Sequence, residues 1–137
     1  MNLHAYLTFN GTCREAMQFY RDCLGGELHF QTVGESPLSG SLPPQLSECI
    51  LHATLSRDEL VLMGSDMVTE DGLKPGNTVS MMLYCDTEAE IRTCYEKLSA
   101  GGHRSFKLEQ TFWGALFGGL IDRYGNSWLL HFRQIQK

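Results

Sequence analysis

Charge is scarce in this sequence, and basic charge most of all. Only 20% of the residues are charged, 16 acidic side chains stand against 11 Lys and Arg, and the formal net charge is −5. Nucleic-acid binding depends on clustered Lys and Arg, so no nucleic-acid partner is expected. No stretch approaches the roughly 18 consecutive apolar residues of a membrane-spanning helix, so no membrane partner is expected either. The opening Met1-Asn2-Leu3-His4 lacks the basic region and apolar core of a secretory signal. The cysteines Cys13, Cys23, Cys49, Cys85 and Cys94 are odd in number and have no CxxC or zinc-like spacing. They offer no disulfide framework, and they read as small packed hydrophobes in a reducing, cytoplasmic setting.

What is present is enough apolar material for a core. The chain has 137 residues, 42% of them hydrophobic, and a domain near that size buries about 68% of its unfolded surface. Leu3 to Phe9 alternates with a period of two and reads as a strand, with His4, Tyr6 and Thr8 on one face. After Asn10-Gly11, the Thr12-x-x-Glu15 pattern is a capping box, and Cys13, Ala16, Met17, Tyr20, Cys23 and Leu24 follow at helical spacing. Gly25-Gly26 ends that helix. Strands are predicted over 27–33, 48–56 and 59–63, with a long loop at 34–47 and a tight turn at Arg57-Asp58. A second loop spans 64–77. The order then recurs: a strand over 78–85, a capping box at Thr87-x-x-Glu90, and an amphipathic helix carrying Ile91, Cys94, Tyr95 and Leu98. Gly101-Gly102 closes the helix, and strands follow around 105–109, 115–122 and 127–133.

Thr12, Glu15 and Tyr20 correspond to Thr87, Glu90 and Tyr95 at a constant offset of 75, and both helices end in Gly-Gly. Such internal repetition outweighs local propensity as a guide to architecture. The expected fold is α+β: two βαβββ modules, about 1–70 and 76–137, in a single domain over 1–137. Each sheet carries its helix on one face, and the remaining faces meet around a cleft.

The most distinctive segment is Phe112-Trp113-Gly114, then Phe117-Gly118, then Asp122-Arg123-Tyr124-Gly125 and Trp128. This run resembles the signature of the PhnB-like branch of the vicinal-oxygen-chelate superfamily, which includes glyoxalase I, bleomycin-resistance proteins and extradiol dioxygenases. Tyr6-Leu7-Thr8-Phe9-Asn10-Gly11, Phe19-Tyr20, His52-Ala53 and Leu62-Met63-Gly64-Ser65-Asp66 agree with it, so the likeness spans nearly the whole chain. The resemblance implies a curved antiparallel or mixed sheet around a cleft, often in a homodimer. In metal-dependent members it also implies four His or Glu ligands to a divalent ion acting as a Lewis acid. Carried over one by one, those positions are His4, Leu62 or Met63, Ser80 and Leu129. One ligand of four survives, and Leu and Met do not replace a carboxylate on such an ion.

The expected ligand pocket comprises Tyr6, Thr8, His52, Ser80, Met82, Tyr84, Phe112 and Trp113. A relocated metal site would use His4 and His131, with His52 or Glu48 beside them; no catalytic residue or other cofactor is assigned. His29, His103, Arg104, Lys107 and Arg133 read as solvated. The first functional expectation is a protein binding an unidentified small molecule in its cleft without the standard metal set. The alternatives are a metal-dependent lyase, isomerase or dioxygenase and a dimeric, drug-sequestering protein. A methyltransferase name is sometimes attached to this branch, but no glycine-rich strand-to-helix turn for a nucleotide cofactor occurs here.

Overall fold

A computed structural model of the chain describes residues 1–133. It divides into two compact units, Met1–Lys74 and Pro75–Lys137. The first unit runs β1 (Ala5–Thr8), α1 (Cys13–Leu24), β2 (Glu27–Thr32), β3 (Ile50–Arg57) and β4 (Leu60–Ser65). The second runs β5 (Met81–Tyr84), α2 (Glu88–Ser99), β6 (His103–Gln110), β7 (Ala115–Ile121) and β8 (Ser127–Arg133). Each is therefore a βαβββ module, as the repeat predicts. The sheet orders are β1-β4-β3-β2 and β5-β8-β7-β6. In each sheet the first and last strands of the unit pair in parallel and the other neighbours are antiparallel. The loop at 34–47 contains two short 3-10 turns, Pro37–Gly40 and Pro44–Leu46.

Both helices fall where hydrophobic spacing puts them, and their buried stripes pack on their own sheets. Cys13, Ala16, Met17, Tyr20, Cys23 and Leu24 are buried in α1, as are Ile91, Cys94, Tyr95 and Leu98 in α2. Helix starts differ between the units. Thr87 accepts a hydrogen bond from the Glu90 amide at 3.0 Å, while the Glu90 side chain accepts from the Asp86 amide at 3.0 Å. Thr12 makes no side-chain cap bond, contrary to the capping-box expectation. Asp66, just beyond β4, braces the helix start instead: one carboxylate oxygen accepts from the amides of Gly11 (2.9 Å) and Cys13 (3.0 Å). Its other oxygen accepts from the amide of Ile50 at 2.9 Å. A long-range carboxylate thus holds the start of α1 through amides on either side of Thr12, different from the Glu15 amide that a capping box would use.

The Gly-Gly pairs do more than end helices. Gly25 and Gly101 have φ of 79° and 78°, beneath the side chains of Arg57 and Arg123 respectively. Arg57 donates to the carbonyl of Leu24 at 2.6 Å, and Arg123 to that of Ala100 at 3.1 Å. The second glycine of each pair lies against the backbone of the hairpin closing its sheet. A Cβ on Gly26 would stand 2.6 Å from the Ser56 carbonyl oxygen, and one on Gly102 would overlap Ile121 O and lie 2.8 Å from the Asp122 carbonyl carbon. Helix end and hairpin are clamped in both units.

The β7–β8 hairpin explains part of the signature. Asp122 is buried; one oxygen accepts from the amides of Tyr124 (2.8 Å) and Asn126 (3.1 Å), the other from the Trp128 indole (2.8 Å). Gly125 completes the turn at φ 88°. Replacing Gly102 by Ala should therefore cost about 3 kcal/mol, because backbone rather than a movable side chain blocks the new methyl. Gly11→Ala, at φ 88° but with nothing near, should cost only roughly 1–2 kcal/mol. Urea denaturation of the two variants checks this, and equal losses would contradict the clamp.

Candidate functional site

Opposite its helix, the first sheet presents Tyr6 and Thr8 from β1, Met63 from β4, and His52 and Thr54 from β3. Register places Tyr6 beside Met63, Met63 beside Thr54, and Thr54 beside His29. The Tyr6 hydroxyl lies 3.3 Å from Nδ1 of His52, and the Thr54 hydroxyl 3.0 Å from its Nε2. Both imidazole nitrogens are engaged, one as donor and one as acceptor in the neutral ring. Regular alternation along β3 would put Ile50 on the same face as His52. A bulge corrects this: Gln31 pairs with His52 but Thr32 pairs with Ile50, so the extra residue Leu51 turns Ile50 into the core. Thr8 is exposed at the end of β1, opposite Ser65.

The second sheet presents a larger aromatic face. Tyr84 pairs with His131 across β5 and β8, their rings 5.1 Å apart, and His131 pairs with Phe117 on β7. Trp113 stands 6.3 Å from Phe117 and 5.0 Å, edge-on, from Phe112. Met82 aligns with Leu129, and Leu129 with Gly119. Of these side chains Phe112 is 97% exposed, Tyr84 70%, Trp113 53% and Met82 41%. Ser80 differs: its hydroxyl is 2.7 Å from that of Ser127 and ties the chain before β5 to the start of β8. The structure thus groups Tyr6 with His52 in one unit, and Tyr84 with Trp113 and Phe112 around His131 and Phe117 in the other. Thr54, Met63, Phe117 and Leu129 complete these faces; the period-two pattern of their strands carried the signal that they belong there.

The residues at the implied metal positions do not fit a divalent ion. Leu62 is buried in the core, which leaves Met63 on the open face. Leu129 has no donor atom, the Ser80 hydroxyl is bonded to Ser127, and His4 is exposed ahead of β1. His52 already has a partner at each nitrogen. Glu48 lies elsewhere, lining a groove of about 510 Å³ with Arg14, Glu15, Cys49 and Asp66. Among the described residues no group of three or more His, Cys, Asp or Glu is arranged to hold a metal.

All five thiols are free, and only Cys49 is not buried. Burial, reinforced by the Asp66 carboxylate, pushes the Cys13 thiol up to about 12. The hydrogen bond with Cys94, then burial, raises Cys85 as well. Folding therefore holds the Cys13 proton more tightly than the unfolded chain does. That contribution to stability is whole below pH about 9 and is lost as pH rises toward 12.

The fold is that of a glyoxalase/bleomycin resistance protein/dioxygenase family enzyme from Burkholderia phytofirmans PsJN: TM-score 0.64, 12% identity, 96% of this chain and 97% of that one. Residues 1–131 match the family described as 3-demethylubiquinone-9 3-methyltransferase, and the chain belongs to that family, the PhnB-like branch of the vicinal-oxygen-chelate superfamily. It is 34% identical to protein PA1353 from Pseudomonas aeruginosa, with a TM-score of 0.87 over 98% of this chain and 99% of that one. The PhnB protein from Bacillus cereus is 26% identical, with a TM-score of 0.72 over 96% and 99%. Protein YjdN of Escherichia coli K12 is 27% identical over 96% of this chain and 95% of its own length.

Iodoacetamide at pH 8 should alkylate Cys49 first and leave Cys13 and Cys85 unmodified until the protein unfolds. Mass spectrometry of native digests checks this; early labelling of Cys13 would contradict its burial.

Proposed function

We propose that the protein binds a small planar molecule on the sheet face opposite α2, without the standard metal set of its superfamily. One observation carries this reading: Tyr84, His131, Phe117, Trp113 and Phe112 form a contiguous aromatic face, much of it exposed. Large exposed apolar groups with a few polar tips among them are typical of ligand surfaces. The Tyr84 hydroxyl and the His131 imidazole supply polar contacts for ring oxygens, and the indole and phenyl groups supply stacking. The quinone named in the family description is a ring of this kind, and binding one is part of the proposal. Methyl transfer is not, since no glycine-rich turn for a nucleotide methyl donor is found in the sequence.

The same reading places the protein in the cytoplasm as a homodimer, folded as a single domain. Free cysteines fit a reducing compartment. Among the described residues no helix is long and apolar enough to cross a membrane. Phe112, Val79 at 77% and Phe106 at 58% exposure are apolar groups suited to cover by a second copy.

Calorimetry with 2,3-dimethoxy-5-methylbenzoquinone as the probe tests the proposal. Saturable binding, weakened about tenfold (1.4 kcal/mol) in both Tyr84→Ala and His131→Ala, is expected. No binding to the native protein, or affinity unchanged from native in both variants, would overturn it. Stoichiometric Zn, Ni, Mn or Fe in purified protein, lost in His4→Ala, would favour the relocated-metal alternative instead.

A further inference from the structure

A second surface, on the helix side of the second unit, is not used by this reading. Arg92, Tyr95 and Glu96 from α2 and Arg104, Lys107 and Leu108 from β6 line one groove of about 440 Å³. Three cations therefore share a concave surface in a chain whose net charge is −5. Only one carboxylate, Glu96, is among the lining residues.

Arg104 is held in place. Its guanidinium lies over the Tyr95 ring, 5.0 Å from the centroid, and its Nε donates to the Ser99 hydroxyl at 3.2 Å. Tyr95 is itself anchored, its hydroxyl donating to the Phe106 carbonyl at 2.8 Å. A guanidinium bonded through Nε keeps its charge, and its terminal N–H groups are the kind of donors that grip two oxygens of one anion. Arg92 is steadied along the helix by Glu88, with 3.3 Å between Nε and Oε2.

Strand geometry makes the clustering informative. Residues three apart on a regular strand point to opposite faces, so Arg104 and Lys107 should not share a groove. The β6–β7 ladder is irregular between His103 and Phe106 and again between Phe106 and Glu109. Such bulges re-aim side chains, and here both cations line the same cavity. The architecture does not require them. In the first unit, α1 has the buried Met17 where α2 has Arg92, and β2, with the sequence Glu-Leu-His-Phe-Gln-Thr, contains no Lys or Arg.

We propose that this groove binds a phosphate-bearing small molecule. The Arg104 fork and the Lys107 ammonium take the phosphate oxygens, Arg92 adds charge at the rim, and Leu108 flanks the organic part. Glu96 is placed to accept from a ligand hydroxyl.

The test is calorimetric titration with inorganic phosphate, phenyl phosphate and benzoate, ionic strength held constant with chloride, and NMR spectra confirming that each variant is folded. Saturable binding of phosphate, tighter for phenyl phosphate and weak for benzoate, is expected. Lys107→Gln and Arg104→Lys should each weaken phenyl phosphate about tenfold, the second despite keeping its charge. Arg14→Gln, which removes a cation of the first unit that lies over the Phe30 ring, should leave it unchanged. A non-saturating response, unchanged affinity in both groove variants, or benzoate binding as tightly as phenyl phosphate would overturn the proposal.

Discussion

The contact on which the rest depends is the clamp between each helix end and the hairpin of its own sheet. Gly26 and Gly102 bring helix and hairpin backbones closer than any side chain permits, while Arg57 and Arg123 reach back to carbonyls at the helix ends. Twelve-residue helices of this kind have little stability of their own. Held at one end and packed along an apolar stripe, each instead covers one chosen face of its sheet. Which residues are core and which are presented then follows from strand parity.

That division separates the family signature into two parts with different tasks. Asp122, Gly125 and Trp128 build the β7–β8 turn, three donors converging on one buried carboxylate. Gly118 lies on the helix side, where a Cβ would stand 3.0 Å from the Tyr95 ring. Phe112, Trp113 and Phe117 lie on the other side, around Tyr84 and His131. The signature therefore records both how the sheet is closed and what its open face offers. The positions that the resemblance implies for metal ligands, His4, Leu62 or Met63, Ser80 and Leu129, hold no carboxylate.

Much of this was legible from the chain alone, and the exceptions have physical causes. The repeat, both helices and the order of elements along the chain follow from local periodicity and turn residues, and the aromatic pair stands out in the sequence itself. The start of α1 did not, because Thr12 makes no cap bond and Asp66 arrives from more than fifty residues away to hold the Gly11 and Cys13 amides. Nor did the facing of Ile50, because a bulge at Leu51 inserts one residue and inverts parity. Ser80 matched the open face in parity, but its hydroxyl is taken up by Ser127. Arg104 and Lys107 read as scattered solvated charge, since only an irregular ladder brings both to one groove. Local rules served well wherever the backbone stayed regular.

The central claim is that the aromatic face opposite α2 is the working surface of the protein. The two tryptophans make it directly measurable, since Trp113 is 53% exposed on that face and Trp128 only 3% exposed in the core. Titration with a planar quinone should quench the exposed, red-shifted emission saturably in the native protein, and the saturable component should vanish in Trp113→Phe. A saturable quench that persists undiminished in Trp113→Phe, or no saturable quench in the native protein, would contradict the account.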